Sequence, residues 1–269
     1  MVSRLATLVR SQFRGMREAI ASVVFPAPCR ICGRMLDTGD RIPFCEACLV
    51  VLQQKLSRPL CAKCGRSVAP NFVEAAVSPQ LCHLCRREVY DFDLARSFGA
   101  YTPAMARAIL LLKYGEITPL WGWFAHLLAQ VIEQEGDALE ADAVVPVPLH
   151  AVRLRERGYN QADLIARPLA RLLGLPFRSY LLVRTRPRPD KLRLTRRERW
   201  ETVRGAYAAR QGAKVDKLRV LLVDDVLTTG ATLDACSRAL RKAGAARVLG
   251  LTVARAVSPA TPPVEAQVL

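Results

Sequence analysis

Two adjacent carboxylates follow a continuous apolar run in the stretch VLLVDDVLTTGAT, which covers residues 220–232. Asp224 and Asp225 stand where the predicted strand ends, and ligands of open α/β sheets bind beyond the carboxyl ends of the strands. Small residues and hydroxyls then open a predicted helix, whose first backbone N–H groups form a site for an anion. We therefore predict acceptors for a diol beside donors for a phosphate, and a sugar phosphate has both features.

The phosphate donors are expected from five consecutive residues, in which hydroxyls accompany a glycine that lets the backbone approach a ligand closely. They are Thr228, Thr229, Gly230, Ala231 and Thr232. The stretch matches neither G-x-x-x-x-G-K-[ST] nor G-x-G-x-x-G, so neither a nucleoside triphosphatase nor a dinucleotide site is supported. A capped helix start is the simpler interpretation, but a cap needs neither two aspartates nor three hydroxyls.

Eight of the nine cysteines form four C-x-x-C units, spaced as C-x2-C-x12-C-x2-C and C-x2-C-x17-C-x2-C. In a chain for which no export signal is expected, the reducing cytosol disfavours disulfides and favours metal. Four thiolates fill the tetrahedral shell of Zn²⁺, so we predict two structural zinc sites. Their ligands are Cys29, Cys32, Cys45 and Cys48 in the first site and Cys61, Cys64, Cys82 and Cys85 in the second.

Other uses of these cysteines stay open at this point. Redox dithiols or an iron–sulfur cluster would suit the same spacing, and a cross-braced pairing of the four units is the alternative to the favoured sequential one. His83 lies between two of the cysteines and is a candidate substitute ligand. Cys236 stands alone in a predicted helix and is interpreted as a small buried apolar residue.

The chain is strongly basic, with 40 Lys and Arg against 24 Asp and Glu and a net charge of +16. Residues 150–204 hold 15 basic and 5 acidic residues and thus carry ten of those charges. Such a field favours polyanions: nucleic acid, phosphorylated metabolites or an anionic membrane surface. A solvated face is the simpler interpretation of a charge run, but this density is typical of a polyanion site.

Residues 1–24 are predicted to form an amphipathic helix, because apolar residues recur there at roughly helical spacing. The helix would pack on the body of the protein or rest on the inner membrane surface, so peripheral membrane contact stays open. The apolar segment AIASVVF is short for a signal peptide and no A-x-A pattern follows it. No window reaches the ~18 apolar residues of a membrane span, and we expect a cytoplasmic protein.

Apolar strands alternate with helices after the cysteine region, which predicts a mostly parallel α/β sheet buried on both faces. Strands are predicted at 94–101, 143–149, 179–184, 219–225 and 246–255, and helices at 102–115, 118–134, 160–174 and 231–244. The predicted cysteine region covers 25–90, the α/β domain covers 91–255, and a flexible tail covers 256–269.

The stretch VLLVDDVLTTGAT resembles the phosphoribosyl-pyrophosphate (PRPP) signature of type I phosphoribosyltransferases. Cysteine knuckles ahead of that domain, with VPVPLHAVRLRERGYNQ between, resemble the ComF family, whose members serve competence and DNA uptake in bacteria. The similarity covers nearly the whole chain, from about Phe25 to Arg255. It implies a type I phosphoribosyltransferase fold, a mostly parallel sheet flanked by helices, preceded by a small N-terminal double zinc ribbon.

The resemblance also implies roles for individual residues. Asp224 and Asp225 would hold the ribose hydroxyls as catalytic residues, and residues 228–232 would cradle the 5-phosphate. Residues 146–150 would form the pyrophosphate loop, and Mg²⁺ would arrive with PRPP. Residues 184–204 would be a flexible loop that closes over the reacting centre. The predicted PRPP-binding residues around the pyrophosphate are Val147, Pro148, Leu149, Arg153 and Arg155.

Two functions follow from the resemblance. The first is a ComF-like protein that binds PRPP or a related sugar phosphate and takes part in DNA uptake, with single-stranded DNA and proteins of the competence machinery as partners. The alternative is an active phosphoribosyltransferase of nucleotide metabolism, which would displace pyrophosphate at C1 with an unidentified base or amine. The complete PRPP signature supports both, and the basic segment with interleaved aromatic residues favours the first.

Overall fold

Four apolar strands form a parallel sheet at the centre of the computed structural model. The described residues are 28–36, 42–56, 59–68, 80–114, 117, 119–187 and 195–256. The predicted helix at 1–24 lies outside them, as does the predicted tail apart from Ala256. The sheet strands are β1 Leu94–Ala100, β2 Ala143–Pro146, β5 Arg219–Leu227 and β6 Arg247–Arg255. They lie side by side in the order β1-β6-β5-β2.

The sheet sets the two strands that matter for the site side by side. β5 lies between β6 and β2, and Val223 of β5 pairs with Pro146 of β2. β2 is shorter than the predicted strand 143–149, because Pro146 and Pro148 lack the N–H groups that a ladder needs. β5 in turn continues to Leu227, two residues beyond the predicted end. The carboxyl ends of β2 and β5 therefore meet at one edge of the sheet.

A second, antiparallel ladder pairs β3 with β4, separate from the main sheet. Its strands are β3 Leu182–Arg184 and β4 Tyr207–Ala209. The predicted strand 179–184 is thus confirmed only over its last residues, and it does not join the parallel sheet.

Helices cover both faces of the parallel sheet, and the described ones agree with the predicted positions to within a few residues. Four described helices were not predicted: two short ones lie in the cysteine region, one starts at Ala151, and one starts after the capping box of Thr195 and Glu198. The helices are α1 Glu46–Leu52, α2 His83–Arg86, α3 Pro103–Tyr114, α4 Pro119–Glu135, α5 Ala151–Arg157, α6 Gln161–Leu172, α7 Arg196–Val203 and α8 Ala231–Lys242, with a 3-10 turn at Gly136–Leu139.

The cysteine sets pack against opposite faces of the sheet. Alternate residues of β5 point to opposite faces: Leu221 joins the core that contains Cys29 and Cys48, and Leu222 joins the core that contains Cys61. The first of these cores also holds α3, α4 and α6, and the second holds α8 and the β3–β4 ladder. Among the described residues, no helix is both long and apolar enough to cross a membrane.

Candidate functional site

The two aspartates lie near the end of β5 in different environments. Asp224 is half-buried, and its Oδ1 accepts a hydrogen bond from the Asp225 backbone N at 2.9 Å. Burial, reinforced by repulsion from Asp225, raises the pKa of Asp224 well above its usual value. Asp225 is buried, with 5% of its surface exposed. Two charged carboxylates are therefore unfavourable at this place, and a cation or a hydroxyl group beside them would stabilise the pair.

Lys113, at the end of α3, supplies one such partner. Its Nζ lies 2.5 Å from Asp225 Oδ2. Burial alone would lower the pKa of Lys113, but the carboxylate of Asp225 outweighs this and raises it. In the structure Lys113 neutralises Asp225 and leaves Asp224 as the more accessible carboxylate.

Residues 228–232, which we call the threonine loop, join β5 to α8. Gly230 is the residue that caps α8, with φ at +85°, a left-handed conformation that favours glycine. The first intrahelical bond runs from Asp234 N to Gly230 O, so the preceding N–H groups of the first turn have no partner within the helix. Thr229 Oγ1 accepts from Ala231 N at 3.3 Å. The loop thus has the backbone geometry of an anion site.

Tyr90, far away in the sequence, supports this loop. Its hydroxyl donates to Thr229 O at 2.8 Å. A Cβ on Gly230 would lie 2.6 Å from Tyr90 Cε1, so the ring fills the space that any side chain would need. No local sequence pattern marks Tyr90, so its role is visible only in the tertiary structure. Gly230 is therefore required twice, by its backbone conformation and by its contact with Tyr90.

The predicted pyrophosphate residues stand at the neighbouring strand end. Val147 N donates to Val223 O at 2.9 Å, and Asn160 Nδ2 donates to Val147 O at 3.0 Å. Pro148 and Leu149 follow Val147 and are half-buried. The structure thus brings residues 147–149 to the same edge as Asp224.

The two predicted arginines lie on α5, a helix that begins with His150 as its N-cap. Arg153 pairs with Glu156 through Nη1 and Oε2 at 3.1 Å, and Arg155 is exposed. A helix places these side chains on different sides of its axis, so they do not form one cluster. Arg157, in the last turn, stacks over the exposed ring of Tyr114, with 5.0 Å from its Cζ to the ring centroid.

The cysteine sulfur atoms gather in two sets, each with all four atoms within 4.8 Å of one another. We call Cys29, Cys32, Cys45 and Cys48 the first cluster and Cys61, Cys64, Cys82 and Cys85 the second cluster. The pairing is therefore sequential, as favoured, and not cross-braced. His83 is exposed and belongs to neither set.

The geometry of both clusters fits zinc. One sulfur–sulfur distance in each cluster is 3.6 Å, too long for a disulfide. A tetrahedral ion with Zn–S bonds of about 2.3 Å places its sulfurs about 3.8 Å apart. Backbone N–H groups also donate to the sulfurs of Cys29 and Cys61, each at 3.3 Å, which favours thiolates. The two clusters can each hold a zinc ion.

Arg255 gives independent support for an anion at the second cluster. Its side chain is 1% exposed, and its Nη2 lies 3.6 Å from Cys64 Sγ. Its Nε and Nη1 have no hydrogen-bond partner in the described part of the chain. A buried guanidinium is costly unless it is paired with an anion. A zinc tetrathiolate has a net charge of −2 and would supply that anion.

Comparison with known proteins agrees with this architecture. The phosphoribosyl transferase domain family matches residues 124–265. The chain is 30% identical over 227 residues to the DNA utilization protein YhgH of Salmonella typhimurium, covering 83% of this chain and 94% of that protein. It is 29% identical to competence protein F of Haemophilus influenzae over 79% of this chain and 90% of that protein. It is also 29% identical to competence protein ComFC of Bacillus subtilis, over 78% of this chain and 83% of that protein.

The aligned length of 227 residues exceeds the span of the transferase domain, so the similarity extends well into the first 123 residues. That part contains the cysteine clusters, which lie against the two faces of the sheet. Because relatives and structure agree on both parts, the chain belongs to the ComF family, with a type I phosphoribosyltransferase fold and a double zinc-ribbon region ahead of it.

Proposed function

We propose that the protein is a cytoplasmic member of the DNA-uptake apparatus that binds PRPP with Mg²⁺ and handles single-stranded DNA. The observation that carries the PRPP assignment is the pairing of the threonine loop with Asp224 at the end of β5. Backbone donors for a phosphate and an accessible carboxylate for a diol lie a few residues apart there. The part in DNA uptake rests on the names of the relatives, a DNA utilization protein and two competence proteins.

In this proposal each part of the ligand has its own residues. The threonine loop binds the 5-phosphate, and the two aspartates accept the ribose hydroxyls. Residues 147–149 bind the pyrophosphate, together with whichever of Arg153 and Arg155 faces them, because the two lie on different sides of α5. Mg²⁺ would supply charge neutralisation between the diol and the pyrophosphate. The ion pair of Lys113 with Asp225 supports this assignment. Lys113 cancels the charge of Asp225, so the second acid beside Asp224 does not repel an anionic ligand.

Calorimetric titration with PRPP tests the proposal. Because the site joins a phosphate donor to a diol acceptor, we expect saturable PRPP binding in the presence of Mg²⁺. Binding should weaken when Mg²⁺ is omitted, and ribose 5-phosphate should bind more weakly because it lacks the pyrophosphate. Absence of PRPP binding by zinc-loaded protein would contradict the assignment. If pyrophosphate is released in the presence of any base or amine of a panel, the protein also catalyses phosphoribosyl transfer.

The DNA part of the proposal has a structural candidate in Tyr180. Four aromatic residues lie among the arginines of the basic segment, and three of them pack against other parts of the protein: Tyr159, Phe177 and Trp200. Tyr180 instead has 48% of its surface exposed, and its hydroxyl accepts from Arg178 at 2.8 Å. An exposed aromatic ring held beside a cation is typical of surfaces that stack bases.

We expect affinity for a short single-stranded oligonucleotide to fall steeply with salt, because counterion release scales with the phosphates neutralised. Tyr180→Ala should weaken binding by about 1–3 kcal/mol at fixed salt, the range for one stacked base. Tyr180→Phe keeps the ring and serves as the matched control. Fluorescence anisotropy at several salt concentrations measures both effects. A flat salt dependence would remove nucleic acid from the proposal.

A further inference from the structure

We propose that the second cluster holds the threonine loop in its binding conformation through Lys63 and Tyr90, which makes Tyr90 a positioning residue for the anion site. The inference rests on the proposed function for the identity of the ligand, a sugar phosphate. It adds a connection between the metal site and the ligand site, which lie in parts of the chain more than one hundred residues apart.

The knuckle between Cys61 and Cys64 is fixed against β1. Ala95 N donates to Lys63 O at 2.7 Å, and Arg96 Nη2 donates to Ala62 O at 3.0 Å. A Cβ on Gly65 would lie 2.8 Å from Ala95 O, so the backbones approach as closely as glycine allows. The knuckle therefore has a defined position relative to the parallel sheet.

Lys63 lies between the two cysteines of this knuckle and connects the knuckle to Tyr90. Its Nζ donates to Tyr90 O at 2.8 Å. The ring of Tyr90 is 2% exposed and stacks on Phe92, with 4.7 Å between centroids. The turn after Cys85 leads directly to Tyr90, with Val89 N bonded to Leu84 O at 3.2 Å. Both knuckles of the second cluster thus constrain Tyr90.

At its other end Tyr90 fixes the direction of one peptide group in the threonine loop. Its hydroxyl binds Thr229 O, and its ring lies under Gly230. In a planar trans peptide the C=O and the following N–H point in opposite directions. A Thr229 carbonyl held towards Tyr90 therefore directs the Gly230 N–H away from it. Asp91 N also binds Asp234 Oδ1 at 2.7 Å, which secures the first turn of α8.

This arrangement acts on binding through preorganisation. A glycine-containing loop has many accessible conformations, and a ligand that must order them binds more weakly. The Tyr90 hydroxyl removes that cost in advance by holding one peptide orientation. Loss of this hydroxyl should therefore weaken sugar-phosphate binding and leave the zinc content unchanged.

Tyr90→Phe tests the inference, because it removes only the hydroxyl and keeps the ring under Gly230. We expect PRPP to bind about 3- to 10-fold more weakly, the range for one hydrogen bond. The backbone amides of residues 230–232 should exchange hydrogen for deuterium faster, and zinc per chain should stay at the wild-type value. Tyr159→Phe is the matched control, since it removes a hydroxyl that donates to Leu112 O at 3.0 Å.

Lys63→Met tests the link to the cluster, because it breaks the bond to Tyr90 O and retains all four cysteines. We expect faster amide exchange in the loop, and a double variant that binds PRPP no more weakly than Tyr90→Phe alone. Additive losses would show that the two residues act separately and would overturn the link. If wild-type protein fails to bind PRPP, the exchange data decide: faster exchange in Tyr90→Phe supports the inference, and unchanged exchange overturns it.

Discussion

Cys64→Ser is expected to lose one zinc ion per chain and to destabilise the protein more than Cys32→Ser, which should also lose one. Zinc binding contributes on the order of 10–16 kcal/mol in zinc-finger peptides, so either loss should lower the melting temperature. The second cluster has an additional role, because the buried guanidinium of Arg255 lies 3.6 Å from Cys64 Sγ. Removal of the partner of a buried charge costs about 3–5 kcal/mol more. Cys32 is exposed and belongs to the first cluster.

Elemental analysis gives the zinc content of each variant, and thermal unfolding gives the stability. Cys236→Ala is the control, since Cys236 is buried in α8 outside both clusters and its loss should leave two zinc ions in place. Full zinc content in Cys64→Ser would show that the second cluster does not hold the metal. Equal destabilisation by Cys64→Ser and Cys32→Ser would remove the role assigned to Arg255.

The neighbouring substitutions Asp224→Asn and Asp225→Asn are expected to change stability in opposite directions. The pKa of Asp224 is raised by burial and by Asp225, so its charge is unfavourable in the folded state. Asparagine keeps the acceptor for the Asp225 N–H and removes that charge, which should stabilise the protein at neutral pH. Asp225→Asn instead leaves Lys113 without its ion pair and should cost about 2–4 kcal/mol.

The pH dependence of the free energy of unfolding tests the direction of the Asp224→Asn effect a second time. The stabilising contribution of protonated Asp224 is complete below the usual carboxyl pKa of 3.8 and is lost as the pH rises through the raised pKa of the folded state. The stability gained by Asp224→Asn should therefore be small in acid and grow towards neutral pH. Denaturant unfolding at a series of pH values measures it.

In Asp224→Asn, the affinity for PRPP and the stability of the protein should change in opposite directions. Asp224→Asn removes a charged acceptor for the ribose hydroxyls, so we expect PRPP affinity to fall about tenfold or more in a protein that is more stable. Such a trade-off is typical of functional groups held in unfavourable surroundings. Asp224→Asn that is less stable at neutral pH and binds PRPP normally would contradict both the electrostatic account and the ribose assignment.

Much of the fold followed from local patterns. Continuous apolar runs indicated the strands of the parallel sheet, and the stretch of residues 220–232 indicated a strand, a turn and a helix that opens with free amides. α5 and α7 were missed because both are rich in arginine and short of apolar periodicity, so nothing local distinguished them from a basic loop. The short β3–β4 ladder was partly missed because its antiparallel pairing depends on residues 23 to 27 positions apart.

The sequence by itself determined the chemistry available to this protein: four cysteine pairs at metal-ligand spacing, two adjacent acids and a loop of hydroxyl donors. Those features are encoded within a few residues, since spacing and strand or helix propensity act locally. The tertiary structure alone decided their partners. Tyr90 meets Thr229 across 139 positions, and Arg255 meets Cys64 across 191. Such contacts depend on how the knuckles pack on the sheet, which no local pattern specifies.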